Sequence, residues 1–229
     1  MECNRAAFLT GSLALAAGAG VVARPAGAAT APPASATPEM LLGQLMAGNK
    51  RFVDNDFPAL NMVAEKRELT VEGQAPFAAI LSCADSRVIP ELVFVQAIGQ
   101  LFVTRVAGNY PDGLVIGSLE YAIAPLRTTV ILVLGHEGCG AVKAVYAAIK
   151  EKQQLPEHLS TIQQLIAPGI ADVVARRGSL EEAIEANVRA AVMALRNSPP
   201  VIAKEASAGR VRVAGGVYHL RSGAVKLLQ

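Results

Sequence analysis

Ala78-Ala79-Ile80-Leu81-Ser82-Cys83-Ala84-Asp85-Ser86-Arg87 is an apolar run that ends in a cluster of reactive side chains. Thr129-Val130-Ile131-Leu132-Val133-Leu134-Gly135-His136-Glu137-Gly138-Cys139 repeats that layout further along the chain. Short apolar runs rich in β-branched residues, closed by Gly or polar residues, predict buried strands. In open parallel sheets the chemistry gathers at the carboxyl ends of such strands. The two clusters are therefore expected side by side at one edge of one sheet, in an α/β domain with a mainly parallel central β-sheet.

Cys83, His136 and Cys139 make a Cys2His set. Thiolates and imidazole suit zinc, and three protein ligands leave a fourth position for water or substrate. His136 and Cys139 stand three apart, so a tight turn or the first turn of a helix can bring both to one ion. Two cysteines in an exported chain also fit a disulfide or buried small apolar residues. The His, Asp and Arg beside them favour the metal.

Cys-x-Asp-Ser-Arg followed by His-x-x-Cys-Gly-Ala resembles the β-class carbonic anhydrases, with residue types, order and separation kept. The resemblance extends to Phe102–Asn109, which is similar to the family's Val-x-Arg-x-Ala-Gly-Asn segment, and to Ser118-Leu119-Glu120-Tyr121. It covers about 38–229. It implies about four parallel strands plus an edge strand, flanked by helices, with one Zn2+ per chain on Cys83, His136 and Cys139. It also implies a homodimer or homotetramer in which the partner helps wall the site. Gln74, nine residues before Cys83, falls where the family has an active-site glutamine. Its amide can donate to a substrate oxygen.

The reaction the resemblance implies is reversible hydration of CO2 to bicarbonate and a proton by zinc-bound hydroxide. Two thiolates donate charge to the metal, so its water needs help to become a nucleophile. Asp85 is expected to accept a hydrogen bond from it, and Arg87 to keep Asp85 ionised and oriented through a two-pronged contact. In a closed state Asp85 itself would become a metal ligand. Backbone groups near Gly138 are expected to help orient substrate, since glycine permits close approach. Tyr110 and His158 are candidates for proton transfer; His158 and His219 have no ligand partner at suitable spacing. Some bacterial members bind bicarbonate with a tryptophan three residues before the first cysteine. Ile80 stands there and the chain has no Trp, so no such switch is expected. The rival readings are a hydrolase for CS2 or COS on the same scaffold, a non-catalytic zinc-binding protein, and a disulfide-linked binding domain.

Composition narrows the field. The 229 residues suffice for one domain with a full core. Net charge is +2, with no basic stripe interleaved with aromatics, which excludes a typical nucleic-acid binder. Arg5 precedes an apolar run to Val22, and Ala26-Gly27-Ala28 offers a small-residue cleavage site. That is the layout of an export signal. Arg5-Ala6-Ala7-Phe8-Leu9 resembles a twin-arginine signal, but Ala6 takes the second arginine's place. The expected organisation is an export signal and cleavage region over 1–30, a linker over 31–37 and one zinc-dependent domain over 38–229. The expected location is the periplasm, with no membrane span in the mature chain.

Between the motifs, Thr37-Pro38-Glu39 predicts a helix start. Further helices are expected over 61–72, 88–94, 114–124 and 140–152, with a long one after Ser179 that stops at Ser198-Pro199-Pro200. The segment 155–169 gives no clear reading. Leu101–Val106 predicts a strand, and 210–218 with 223–228 a hairpin at a sheet edge. Arg105 reads as a structural ion-pair partner.

Overall fold

In the computed structural model, which describes residues 32–58 and 63–228, the two quoted runs are neighbouring strands. β1 (Ala78–Ser82) and β3 (Val130–His136) pair in parallel, with Ser82 opposite Leu134. β2 (Leu101–Arg105) pairs in parallel on the other side of β1, and β4 (Arg212–Tyr218) in parallel on β3. β5 (Val225–Leu228) closes the far edge antiparallel to β4. The order is β2-β1-β3-β4-β5, four parallel strands and an antiparallel edge strand. The chain leaves β1 toward one side to build β2, then crosses to the other side to build β3. The carboxyl ends of β1 and β3 therefore flank the switch point of the sheet, where such folds open a crevice.

Every residue of β1 and β3 is buried because both faces are covered. On one face lie α1 (Pro38–Val53) and the single turn α3 (Pro90–Val93), packed on Ala78, Ile80, Val130, Leu132 and Leu134. On the other lie α4 (Gly113–Ile123), α5 (Gly140–Glu151), α6 (Leu159–Ala175), α7 (Leu180–Arg196) and α8 (Val201–Ser207). That face takes Ala79, Leu81, Ile131 and Val133. The strict alternation follows from the two-residue period of a strand.

Local signals place most helix starts. The Thr37 side chain accepts from the Met40 N–H, with Pro38 in the first turn of α1. Ser179 and Glu182 form a reciprocal capping box at α7. The helix expected over 61–72 is shorter: α2 spans Val63–Leu69, and the Thr70 hydroxyl donates back to the Lys66 and Arg67 carbonyls where it ends. Positions 61 and 62 lie outside the described residues, as does the export signal expected over 1–30. The helix expected over 88–94 shrinks to the four residues of α3. The unclear segment 155–169 holds most of α6, which continues through Pro168. Proline removes the bond to the carbonyl four residues back. Here Pro168 and Gln164 are both exposed, so water can satisfy the freed group. Among the described residues no helix is long and apolar enough to cross a membrane.

Gly48 lets α1 touch the end of α3. A Cβ there would lie 1.8 Å from the Phe94 carbonyl oxygen and 2.9 Å from Gln96 Nε2. Helix propensity alone would make Gly48→Ala stabilising by about 1 kcal/mol. The clash with fixed backbone outweighs that, at about 3 kcal/mol or more. The expected result is a melting temperature lower by roughly 5 °C or more; an unchanged value would contradict this packing. The next residue, Asn49, is buried and fully bonded: it donates to the Val93 and Gly223 carbonyls and accepts from Val225 N–H.

Candidate metal centre

Cys83 is the first residue after β1. The β1–β2 ladder continues beyond the strands, with Val106 N–H on the Ser82 carbonyl and Ala84 N–H on the Val106 carbonyl. Arg105 reaches back across it, Nε to the Cys83 carbonyl at 3.0 Å and Nη2 to the Asp85 carbonyl at 2.6 Å. Arg105 is thus a backbone clamp on the ligand loop, not the ion-pair partner expected from sequence. The Gly108 N–H, held on the loop after β2, donates to Cys83 Sγ at 3.4 Å.

His136 is the last residue of β3. Glu137 N–H bonds to the Tyr218 carbonyl at the end of β4. Gly138 then turns the chain at φ +63°, a conformation glycine adopts without penalty. Cys139 follows as the N-cap of α5 and makes no side-chain cap bond. The turn brings both ligand-type side chains of this segment to the Cys83 sulfur. Cys83, His136 and Cys139 are all buried, and their ligand atoms lie within 4.8 Å of one another, the one such group among the described residues.

The geometry fits a tetrahedral ion. Two sulfurs each about 2.3 Å from zinc would stand about 3.8 Å apart; here Sγ to Sγ is 4.0 Å. Both thiols are free, at roughly twice a disulfide bond length. His136 Nδ1 lies 3.0 Å from the Glu137 carbonyl, which can only accept, so Nδ1 carries the proton. That leaves Nε2, fully buried and without any hydrogen-bond partner, to face the sulfurs. A buried polar atom left unmatched in this way is what a ligand atom requires.

Electrostatics single out Cys83 within the group. The contact with Cys139 chiefly, with His136 and the Gly108 N–H close by, holds the Cys83 thiol well below its ordinary value against the effect of burial. Donation to Cys83, together with burial, pushes Cys139 up. Burial presses His136 toward its neutral form, but the Cys83 sulfur and the Glu137 carbonyl prevail and raise it. Cys83 is thus the anion of the group, and Cys139 and His136 would each give up a proton on joining it as metal ligands.

Asp85 stands beside it, Oδ2 3.8 Å from His136 Nε2. The two-pronged contact with Arg87 is present: Oδ1 accepts from Arg87 Nε at 2.9 Å and Oδ2 from Nη2 at 2.8 Å. The Arg87 backbone N–H adds a third bond to Oδ1 at 3.0 Å. The Arg87 guanidinium chiefly holds the Asp85 carboxyl far below the usual carboxylate range.

Gln74 is not brought to this group. It is exposed on the loop entering β1, at the opposite end of the strand from Cys83. β1 alone is roughly 16 Å long, beyond any side chain's reach. Within one chain Gln74 therefore does not reach the Cys2His group. Tyr110 and His158 line one cavity of about 370 Å³ together with Val106 and Ala107. Sequence reasoning missed the Arg105 clamp and also Asn187 of α7, which is buried and donates to the Gly108 carbonyl at 2.8 Å. The signal for Asn187 was an amide set among Ala183, Ile184, Val188 and Ala191 on the apolar stripe of a helix.

A mainly parallel sheet with a Cys2His group at its switch point defines an α/β scaffold with a site that could hold a metal. The family profile described as carbonic anhydrase matches residues 78–225. A carbonic anhydrase of Mycolicibacterium smegmatis is 36% identical over 80% of this chain and 89% of the relative. Carbonic anhydrase 2 of Mycobacterium tuberculosis is 35% identical over 78% of this chain and 87% of the relative. Among solved structures, the β-carbonic anhydrase of Coccomyxa superposes with a TM-score of 0.65 at 28% identity, covering 82% of this chain and 86% of that one. The chain belongs to the carbonic anhydrase family, β class, and so to the carbonate dehydratases.

Proposed function

We propose that the chain catalyses reversible hydration of CO2 to bicarbonate and a proton, with one zinc ion held by Cys83, His136 and Cys139. The observation that carries this is the group of three buried ligand atoms, one of them otherwise partnerless, with an Arg-locked carboxylate at its edge. Zinc, when bound, supplies a Lewis acid that makes a water nucleophilic near neutral pH. Asp85, kept ionised by Arg87, would accept a hydrogen bond from such a water and orient it toward CO2. The turn at Gly138 leaves the approach to the group free of side-chain bulk; no heavy atom lies within 4 Å of where its Cβ would be. In a closed state Asp85 would leave Arg87 and take the fourth ligand position. Gln74 can serve substrate only at another subunit's site. That suits a homodimer or homotetramer, with the β2 edge and the half-exposed Tyr121 packed on Phe102 as surfaces for a partner to cover.

The test is metal analysis paired with stopped-flow CO2 hydration on the mature chain. One zinc per chain is expected, with a rate that rises with pH above neutrality because the nucleophile must shed a proton. A rate flat from acid to alkaline pH would contradict this. Comparing CO2 with CS2 separates the hydrolase rival, and zinc without turnover would favour a storage role. The export reading predicts a mature N-terminus near residue 30 in the periplasm; mass spectrometry that finds Met1 retained would end it.

A further inference from the structure

We infer that Asn187 is a positioning residue for the Cys83 sulfur, acting through Gly108; the inference rests on the metal reading above. Gly108 has φ +81° and no side chain to fix it. Its place is tight, since a Cβ there would lie 2.4 Å from Ile166 Cδ1 of α6. Its two polar groups face opposite ways in function. The N–H donates to Cys83 Sγ at 3.4 Å, and the carbonyl accepts from Asn187 Nδ2 at 2.8 Å. Asn187 is 1% exposed and sits on the apolar stripe of α7, where a carbon side chain would pack as well. Its Oδ1 has no partner. The amide is therefore kept in the core for the single bond it makes to Gly108.

That bond ties a glycine, otherwise free to rotate, to a long helix packed on β3 and β4. With its carbonyl fixed, the N–H stays aimed at the sulfur. A hydrogen bond to a thiolate withdraws electron density from it and fixes which lone pair remains for the metal. Asn187 touches neither metal nor substrate; it sets the donor strength and direction of one ligand.

Asn187→Leu is the first test. It removes an orphaned oxygen and packs an apolar side chain on an apolar stripe, which offsets part of the cost of leaving the Gly108 carbonyl unmatched, so the fold is expected to survive. Asn187→Ser, too short to reach the carbonyl, is the second variant. Leu195→Ala, lower on the same helix and fully buried, is the control for destabilisation alone. Each full mature chain is measured for zinc loss to a chelator and, after cobalt substitution, for the thiolate-to-cobalt charge-transfer band. In both Asn187 variants zinc is expected to bind about tenfold or more weakly because the sulfur is no longer held in line, an effect that outweighs its greater donor strength. The band is expected to move to longer wavelength as the sulfur becomes more electron-rich. The control is expected to melt earlier with both properties unchanged. A band and zinc affinity in the Asn187 variants equal to those of the control would overturn the inference alone. A wild-type chain with no thiolate-to-cobalt band would overturn the metal reading and the inference with it.

Discussion

Cys139→Ser is expected to give a folded chain that holds no zinc and hydrates no CO2. The position makes this a clean experiment. Cys139 is the N-cap of α5 and its thiol caps nothing. Serine is among the best N-cap residues, worth about 1 kcal/mol over a non-capping side chain. It also has nearly the thiol's shape, so the turn at Gly138 and the helix after it have no reason to break. What disappears is the soft anionic donor. An alcohol does not ionise near neutrality and is a poor ligand for zinc compared with a thiolate. Cys83 and His136 alone are too few ligands for a tight zinc site. Zinc content after dialysis should fall from one per chain to near zero. Hydration should fall by more than about a thousandfold, because no other group in the cluster can make water nucleophilic at neutral pH. The melting temperature should be no lower than that of wild-type protein stripped of metal, and a few degrees higher if the new hydroxyl caps α5. One zinc per chain with hydration intact in this variant would remove Cys139 from the ligand set.

What the sequence showed and what it hid divide along a physical line. The clustering of Cys83, His136 and Cys139 was legible because Cys83 and His136 each terminate a run such as Ile80-Leu81-Ser82 or Leu132-Val133-Leu134, and a buried strand has few other readings. Their adjacency followed from the rule that parallel sheets open at carboxyl ends. The Asp85–Arg87 contact was legible because a spacing of two at a strand end can bring both side chains to one side of a turn. Arg105, Gly108 and Asn187 were not legible as one chain of contacts. Asn187 lies far along the sequence from Cys83, and only the packing of α7 onto β3 and β4 brings it under Gly108. Where Gln74 lies was not legible either: the whole of β1 separates it from Cys83 within one chain, and sequence does not show which subunits meet. α6 was obscured by Pro168, because local propensity does not reveal that the freed carbonyl faces water. Its neighbour Gly169 marks instead a close approach to α7, where a Cβ would lie 2.6 Å from that of Ala190.

Asp85→Asn is expected to keep its zinc and lose hydration by about 10²–10⁴-fold, the range for a positioned acid–base group. Asparagine has the same outline, and its oxygen can still accept from Arg87. Its amide nitrogen, however, can only donate, so the side chain no longer receives a hydrogen bond from the attacking water. The ligands are untouched, and zinc content therefore separates this variant from Cys139→Ser. Arg87→Ala should cost less. Arg87 is more than half exposed, so solvent screens its ion pair and its loss costs folding little. Its removal takes away two of the three bonds on Asp85 and leaves the backbone N–H on Oδ1. A carboxylate held by one bond at 3.8 Å from His136 Nε2 is then free to turn toward the metal. The expected signature is a rate loss on the order of tenfold with an added oxygen ligand visible by X-ray absorption at the zinc edge, since a carboxylate is a competent zinc ligand. The double variant decides how the pair works. If Arg87 acts only through Asp85, the double variant is as slow as Asp85→Asn and no slower, because groups that act as a unit are not additive. A double variant slower than Asp85→Asn by the full Arg87→Ala factor would mean that Arg87 meets the substrate itself, and the reading of the pair as one device would fail.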